Sequence, residues 1–365
     1  MNKSINTINL AALLFVTGMF LLSSCSRKTQ QSMQNYEDQP GQISGIELSR
    51  NANQFAFDLL PYIAIGSENT VFSPFSIRSA LAMTYAGARE ATMDEMAATL
   101  HFSRNQLAFH QAFGEYLQTL RELAGDSVQL NIANSLWAQQ NYHFLESYFD
   151  FIETHYGSLL FPVDFVGQRE PVRQQINHWV EEQTRDMIRD LIAPGVLTED
   201  TRLVLVNAIH FYGPWKTAFD KNMSFEDVFY ALGGERNRTK FMFRGDNFNY
   251  YEDERAQVLS LPYSGGNFEM TLVLPSEATD IKSFEKELTT AWFTEATESM
   301  NRTRVEAFIP RFKAESKMEL DVILKEMGMP LAFSEKADFS AMTGKKDLAI
   351  DKVIHQAAIE VEDAG

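Results

Sequence analysis

Val353, His355, Ala357, Ile359 and Val361 fall on one side of a two-residue repeat, and Gln356, Ala358, Glu360 and Glu362 on the other. That alternation specifies a β-strand with one apolar face, and it puts an imidazole on that face. A neutral ring buried there needs a polar partner from another element, so the strand must sit against something that supplies one. After Val361 the composition turns acidic and small and ends in Gly365, a residue suited to a bend. A domain seldom closes on a strand that runs into a hinge, so the stretch reads as a chain cut before its closing elements.

The same irregularity recurs upstream. Arg202 to Phe211 alternates as a strand with Leu203, Leu205, Asn207 and Ile209 on one face, and Asn207 interrupts it. Asn69 to Ser76 reads as a short strand running into a helix, with Ser73 placed to cap and Pro74 in the first turn. The helix continues through Ala80 to Ala88, rich in small residues and nearly uncharged, which predicts burial on most sides. The hydroxyls of Ser73 and Ser76 at its buried end require partners. On the residues alone, Ser73, Ser76, Asn207 and His355 are satisfied core polar groups and Trp215 is a core aromatic.

Elsewhere the periodicity predicts helices over 48–64, 92–100, 105–123, 146–156, 171–191, 281–300 and 316–327. A strand is expected over 128–138. Residues 225–274 read as short strands joined by turns, with a hairpin loop at 263–267. The folded part begins near residue 46. Before it, Lys3, the apolar run Leu10 to Leu22 and the ending Leu22-Ser23-Ser24-Cys25 read as an export signal over 1–24. That ending resembles the bacterial lipobox, which implies lipidation of Cys25 and a cell-envelope location. Residues 25–45 are Gln, Ser, Asn and Pro rich and read as a flexible tether. Cys25 is the sole cysteine, so the domain must be held by packing without an internal disulfide.

The net charge of −17, with no basic run, argues against nucleic acid and against anionic membrane contact through the folded domain. The chain has no Gly-x-Ser-x-Gly, no His-Glu-x-x-His, no P-loop and no cysteine pair. An envelope hydrolase is therefore a remote reading. No metal, cofactor or catalytic residue is expected.

Five separated stretches, in order, resemble the serpins, the serine protease inhibitor superfamily. They are Asn69-Thr70-Val71-Phe72-Ser73-Pro74-Phe75-Ser76 with its helix, Asn207 to Trp215, Glu306 to Phe312, Ala337-Asp338-Phe339-Ser340, and Asp351 to Gly365. The last is similar to the family segment leading into the reactive-centre loop, with Asp351 in place of a hydroxyl residue and Asp363 in place of a Glu. The resemblance covers residues 46–365 and implies an α+β fold with helices around a large central mixed β-sheet and smaller sheets. It further implies that Ser73, Ser76, Asn207 and His355 form a hydrogen-bonded shutter beneath that sheet, with Trp215 at the breach where insertion starts. Asp363, Ala364 and Gly365 would begin the loop hinge, which their small or short side chains permit. The implied activity is suicide-substrate inhibition of a serine protease, with cysteine proteases as the other target class, by a monomer; a non-inhibitory binding or carrier serpin is the alternative.

Overall fold

The computed structural model describes residues 3–4, 43–66, 68–232, 234–276 and 281–365. Apart from Lys3–Ser4 and residues 43–45, the expected signal (1–24) and tether (25–45), with Cys25, lie outside the described residues.

After the two-residue strand β1 (Lys3–Ser4) the chain forms α1 (Gly45–Ile63), started by Ser44, whose hydroxyl accepts the Glu47 N–H. It continues with α2 (Pro74–Gly87), α3 (Glu90–Leu100), α4 (Gln106–Ala124), β2 (Gln129–Gln139), α5 (Glu146–Tyr156), β3 (Leu159–Val163), α6 (Arg169–Gln183) and β4 (Leu203–Tyr212). A β-rich stretch follows: β5 (Phe225–Tyr230), β6 (Arg236–Glu252), β7 (Ala256–Pro262) and β8 (Glu269–Pro275). Then come α7 (Ile281–Glu287), α8 (Thr290–Glu298), β9 (Asn301–Pro310), β10 (Phe312–Glu319), α9 (Asp321–Met327), a 3₁₀ turn at Pro330–Phe333, α10 (Ser340–Thr343) and β11 (Ile354–Val361).

The centre of the fold is α2. Every residue in it except Ser76 and Ala80 is largely buried or packed against a neighbour, in keeping with its nearly uncharged composition, although Arg78 is among the buried ones. The Arg78 guanidinium is satisfied by the carbonyls of Leu48, Leu100 and His101, which ties α2 to α1 and to the end of α3. Burial draws its pKa down to about 10, so it stays cationic.

The β-structure falls into three blocks. One is β3–β2–β4, with β3 parallel and β4 antiparallel to β2. Another is the antiparallel pair β10–β11, with His355 opposite Met318 and Val361 opposite Phe312. The third runs β1–β9–β6–β7–β8, with β5 added to β6. The main core, from Phe55 and Leu59 of α1 to Phe339 and Met342, lies among the helices and all three blocks. A smaller cluster around Trp137, Ile176, Trp179 and Val206 packs α6 on the other face of β2 and β4.

Five expectations need correction. Residues 69–72, expected as a short strand, pair in no ladder among the described residues and enter α2 as irregular chain. Residues 316–319 continue β10, alternating half-buried and exposed, and the helix begins only at Asp321. The segment 281–300 holds two helices, because Thr289 caps a new start by accepting the Trp292 N–H. Helix α6 stops at Gln183: the Thr184 hydroxyl bonds back to the Val180 carbonyl and accepts the Ile188 N–H. Positive φ at Arg185, Asp186 and Asp190 then turns the chain into an irregular strap over 184–202. Lastly, β6 is 17 residues long and pairs with β5, β9 and β7 in turn, so the region is not all short strands.

Candidate functional site: a cleft between two strand edges

Strands β4 and β11 carry the two interrupted apolar faces, and each is hydrogen-bonded on one side only. β4 pairs with β2 and β11 with β10; among the described residues no ladder joins β4 to β11. The central sheet is thus split, and a cleft of about 410 Å³ runs between the two edges. Ser73, Ser76, Asn207 and His355 all line it.

The structure gathers these four residues around one cleft without joining them in one network. Ser73 acts as the helix cap, its hydroxyl accepting the Ser76 N–H at 3.2 Å. Its own backbone N–H donates to Nε2 of His355 at 2.9 Å. An accepting Nε2 fixes the neutral ring with its proton on Nδ1. Burial pushes the His355 pKa down to about 4, so the neutral form dominates at pH 7. Asn207 turns to the other block: its Nδ2 donates to Oδ1 of Asn134, the residue directly opposite on β2, at 2.8 Å. Asn134 in turn donates to the Tyr156 carbonyl at 3.0 Å, anchoring β2 to the end of α5. Oδ1 of Asn207 is buried without a partner, and no hydrogen bond joins Asn207 to His355 among the described residues.

The strap closes the outer side of the cleft, where Met187, Ile188 and Leu191 line it. It is tied to both blocks. Where the strap leaves α6, Asn131 on β2 donates to the carbonyl of Gln183, the last helical residue, at 2.9 Å. From the other block, Lys317 donates to the Asp190 carbonyl at 2.5 Å and Gln356 to the Arg189 carbonyl at 3.3 Å. Gln356 also donates to Glu315 at 2.7 Å. It is buried although alternation places it on the outward face, because the strap covers that face.

Trp215 stands behind one end of the cleft, against the lining residues Tyr263 and Glu362. Its ring stacks on Tyr263 with centroids 4.7 Å apart, its Nε1 donates to the Glu362 carbonyl at 2.9 Å, and its backbone N–H donates to the Ala364 carbonyl at 2.8 Å. Asp363 is 2 % exposed. Its carboxylate accepts the Ser224 hydroxyl at 2.6 Å and pairs with the Arg311 guanidinium. Its carbonyl accepts the Phe219 N–H at 2.9 Å. Gly365 lies so close to the Gly213 carbonyl that a Cβ there would collide with it. Asp363 is therefore anchored at the mouth and Gly365 packs against Gly213, while Ala364 gives its carbonyl to Trp215 and keeps an exposed side chain.

Asn134, Ser224, Arg311, Lys317 and the strap contact of Gln356 were not identified from sequence. Asn134 had a signal, since it interrupts the apolar face of its strand as Asn207 does. The partners of Asp363 had none, because an Arg and a Ser far apart in sequence carry no pairing information. No group of metal-ligating side chains occurs among the described residues, and no described helix is long and apolar enough to cross a membrane.

Helices packed around three blocks of β-structure, with a cleft between the facing edges of β4 and β11, define a class of protein. The family profile described as serpin (serine protease inhibitor) matches residues 50–365. An uncharacterized serpin-like protein of Methanosarcina mazei is 34 % identical over 359 residues, spanning 97 % of this chain and 83 % of that one. Among solved structures, ovalbumin from emu (Dromaius novaehollandiae) superposes with a TM-score of 0.82 at 28 % identity, covering 87 % of each chain. The thermophilic serpin tengpin, in the latent state, gives a TM-score of 0.78 at 29 % identity, covering 87 % of this chain and 85 % of that one. The chain belongs to the serpin family.

Proposed function

We propose that the chain is the body of a suicide-substrate inhibitor of serine proteases, in which a bait loop leading on from Gly365 inserts as a strand between β4 and β11. The observation that carries this reading is the pair of unpaired strand edges facing each other across one cleft, with β11 leading straight to its mouth. Strand addition to such edges is driven by main-chain hydrogen bonds. Each contributes roughly 0.5–1.5 kcal/mol net, so a long inserted strand releases on the order of 10 kcal/mol. An acyl-enzyme formed on the loop would be carried along before it hydrolyses; the catalytic groups are the protease's. In the same reading Ser73, Ser76, Asn207 and His355 act as the shutter, Trp215 marks the breach, and a lipid on Cys25 holds the monomer at the cell envelope.

The test is to mix the protein, including whatever chain its gene places after Gly365, with elastase-, trypsin- and subtilisin-like proteases. A denaturant-resistant complex on a gel is the expected result. Clean cleavage without complex favours the second reading, a non-inhibitory binding serpin. One observation supports that alternative: Asp363 is locked by Arg311 and Ser224, which opposes hinge movement.

A further inference from the structure

A second cavity, of about 360 Å³, lies away from the cleft, between α5 and the edge strand β3. It falls at the small end of the range for ligand pockets. Its apolar wall is Leu136, Phe149, Leu159 and Leu160. Leu159 and Leu160, consecutive at the start of a strand that ends its sheet, are 57 % and 41 % exposed. Its rim is Glu146, Asp150 and Glu153, spaced so that all three project from one face of α5. None of these carboxylates has an ion-pair partner among the described residues.

We infer that this groove docks a short apolar segment flanked by Lys or Arg, presented by a protein partner. The leucines supply the area removed from water, and the three carboxylates select the charge of what sits beside them. A two-fold dimer of this chain is disfavoured, because it would set the carboxylate row against itself. Pro162 lacks an N–H to donate from the free edge of β3, which blunts extended strand addition and limits the occupant to a few residues. The cavity volume fits one or two side chains. The inference is independent of loop insertion, since none of its residues lines the cleft between β4 and β11.

The probe is a fluorescein-labelled hexapeptide alternating leucine and lysine, titrated into the full chain by anisotropy. Its control replaces each lysine by glutamate. Saturable binding is expected for the basic peptide alone, weakened about tenfold at about 0.5 M salt. The double variant Asp150→Asn, Glu153→Gln, at exposed positions that leave the thermal midpoint in place, should bind at least about tenfold more weakly. Hydrogen exchange should slow at 146–160 on binding. Absence of binding, equal binding of the acidic peptide, full affinity in the double variant, or protection along β4 and β11 instead would overturn the proposal.

Discussion

The floor and the mouth of the central cleft are held by different physics. At the floor the contacts are uncharged: a backbone N–H to a neutral imidazole, and one amide to another. At the mouth a fully buried carboxylate is paired with a guanidinium and a hydroxyl, and Trp215 adds two hydrogen bonds to the backbone beside it. Leaving one partner of a buried neutral hydrogen bond unsatisfied costs about 1–3 kcal/mol, whereas stranding one partner of a buried ion pair costs about 3–5 kcal/mol. The floor is thus suited to parting and the mouth to holding.

The largest effect should come from Arg311→Ala, which strands the Asp363 carboxylate in a site only 2 % exposed. A loss of about 3 kcal/mol is expected in chemical denaturation, with Asp363→Asn costing less because the guanidinium it leaves unpaired is 27 % exposed and reaches water. Equal, small losses for both would show that the mouth is no tighter than the floor.

Next is His355→Ala, which leaves the Ser73 N–H without its acceptor and opens space beneath β11. A loss of about 1–3 kcal/mol is expected, together with heat-induced polymers at lower temperature on size-exclusion chromatography. An unchanged monomer on heating would remove His355 from the floor. Asn207→Ala should act in the same direction through Asn134.

A pH titration sharpens the contrast. Burial depresses the pKa of His355 to about 4 and of His110 to about 3, so each binds protons more readily when unfolded. Their contribution is fully present above the ordinary histidine value of about 6.5 and is lost as pH falls from there toward each folded value. The slope of stability against pH should flatten between about 6.5 and 4 in His355→Gln, measured by urea midpoints across that window. An unaltered slope would mean that this ring is not the neutral acceptor described.

The smallest effect is expected in the strap. Lys317→Ala or Gln356→Ala removes a hydrogen bond to the 189–190 carbonyls, worth about 0.5–1.5 kcal/mol. Hydrogen exchange over 184–191 should quicken while the global midpoint barely moves. Faster exchange spread over the whole domain would contradict a local role.

What the sequence disclosed followed local rules. The two strands around His355 and Asn207 and the Ser73-Pro74 cap are properties of neighbours in the chain, and the structure has all three; which face is buried is not, since Val206 and Ala208 are more buried than Asn207 and Gln356 is buried beside His355. The failures lie where tertiary partners decide. Ser316 to Glu319 satisfies a helical pattern, yet pairing with Ile354 to Ala357 draws it into β10. Residues 184–191 continue the helical periodicity of α6, but the Thr184 hydroxyl ends the helix and frees the strap to cross the cleft. The Arg311–Asp363 pair joins two segments that meet only in the folded molecule. The family resemblance placed Ser73, Ser76, Asn207 and His355 together; only the coordinates separate them into two hydrogen-bonded sets on opposite walls.

The central claim is that β4 and β11 are edges waiting for a strand. The most direct test is the thermal midpoint of the chain carrying its loop, before and after a single proteolytic cut within that loop. Insertion predicts that the cut molecule unfolds at a markedly higher temperature, because a new ladder now fills the cleft. A midpoint that stays put or falls after cutting would contradict it.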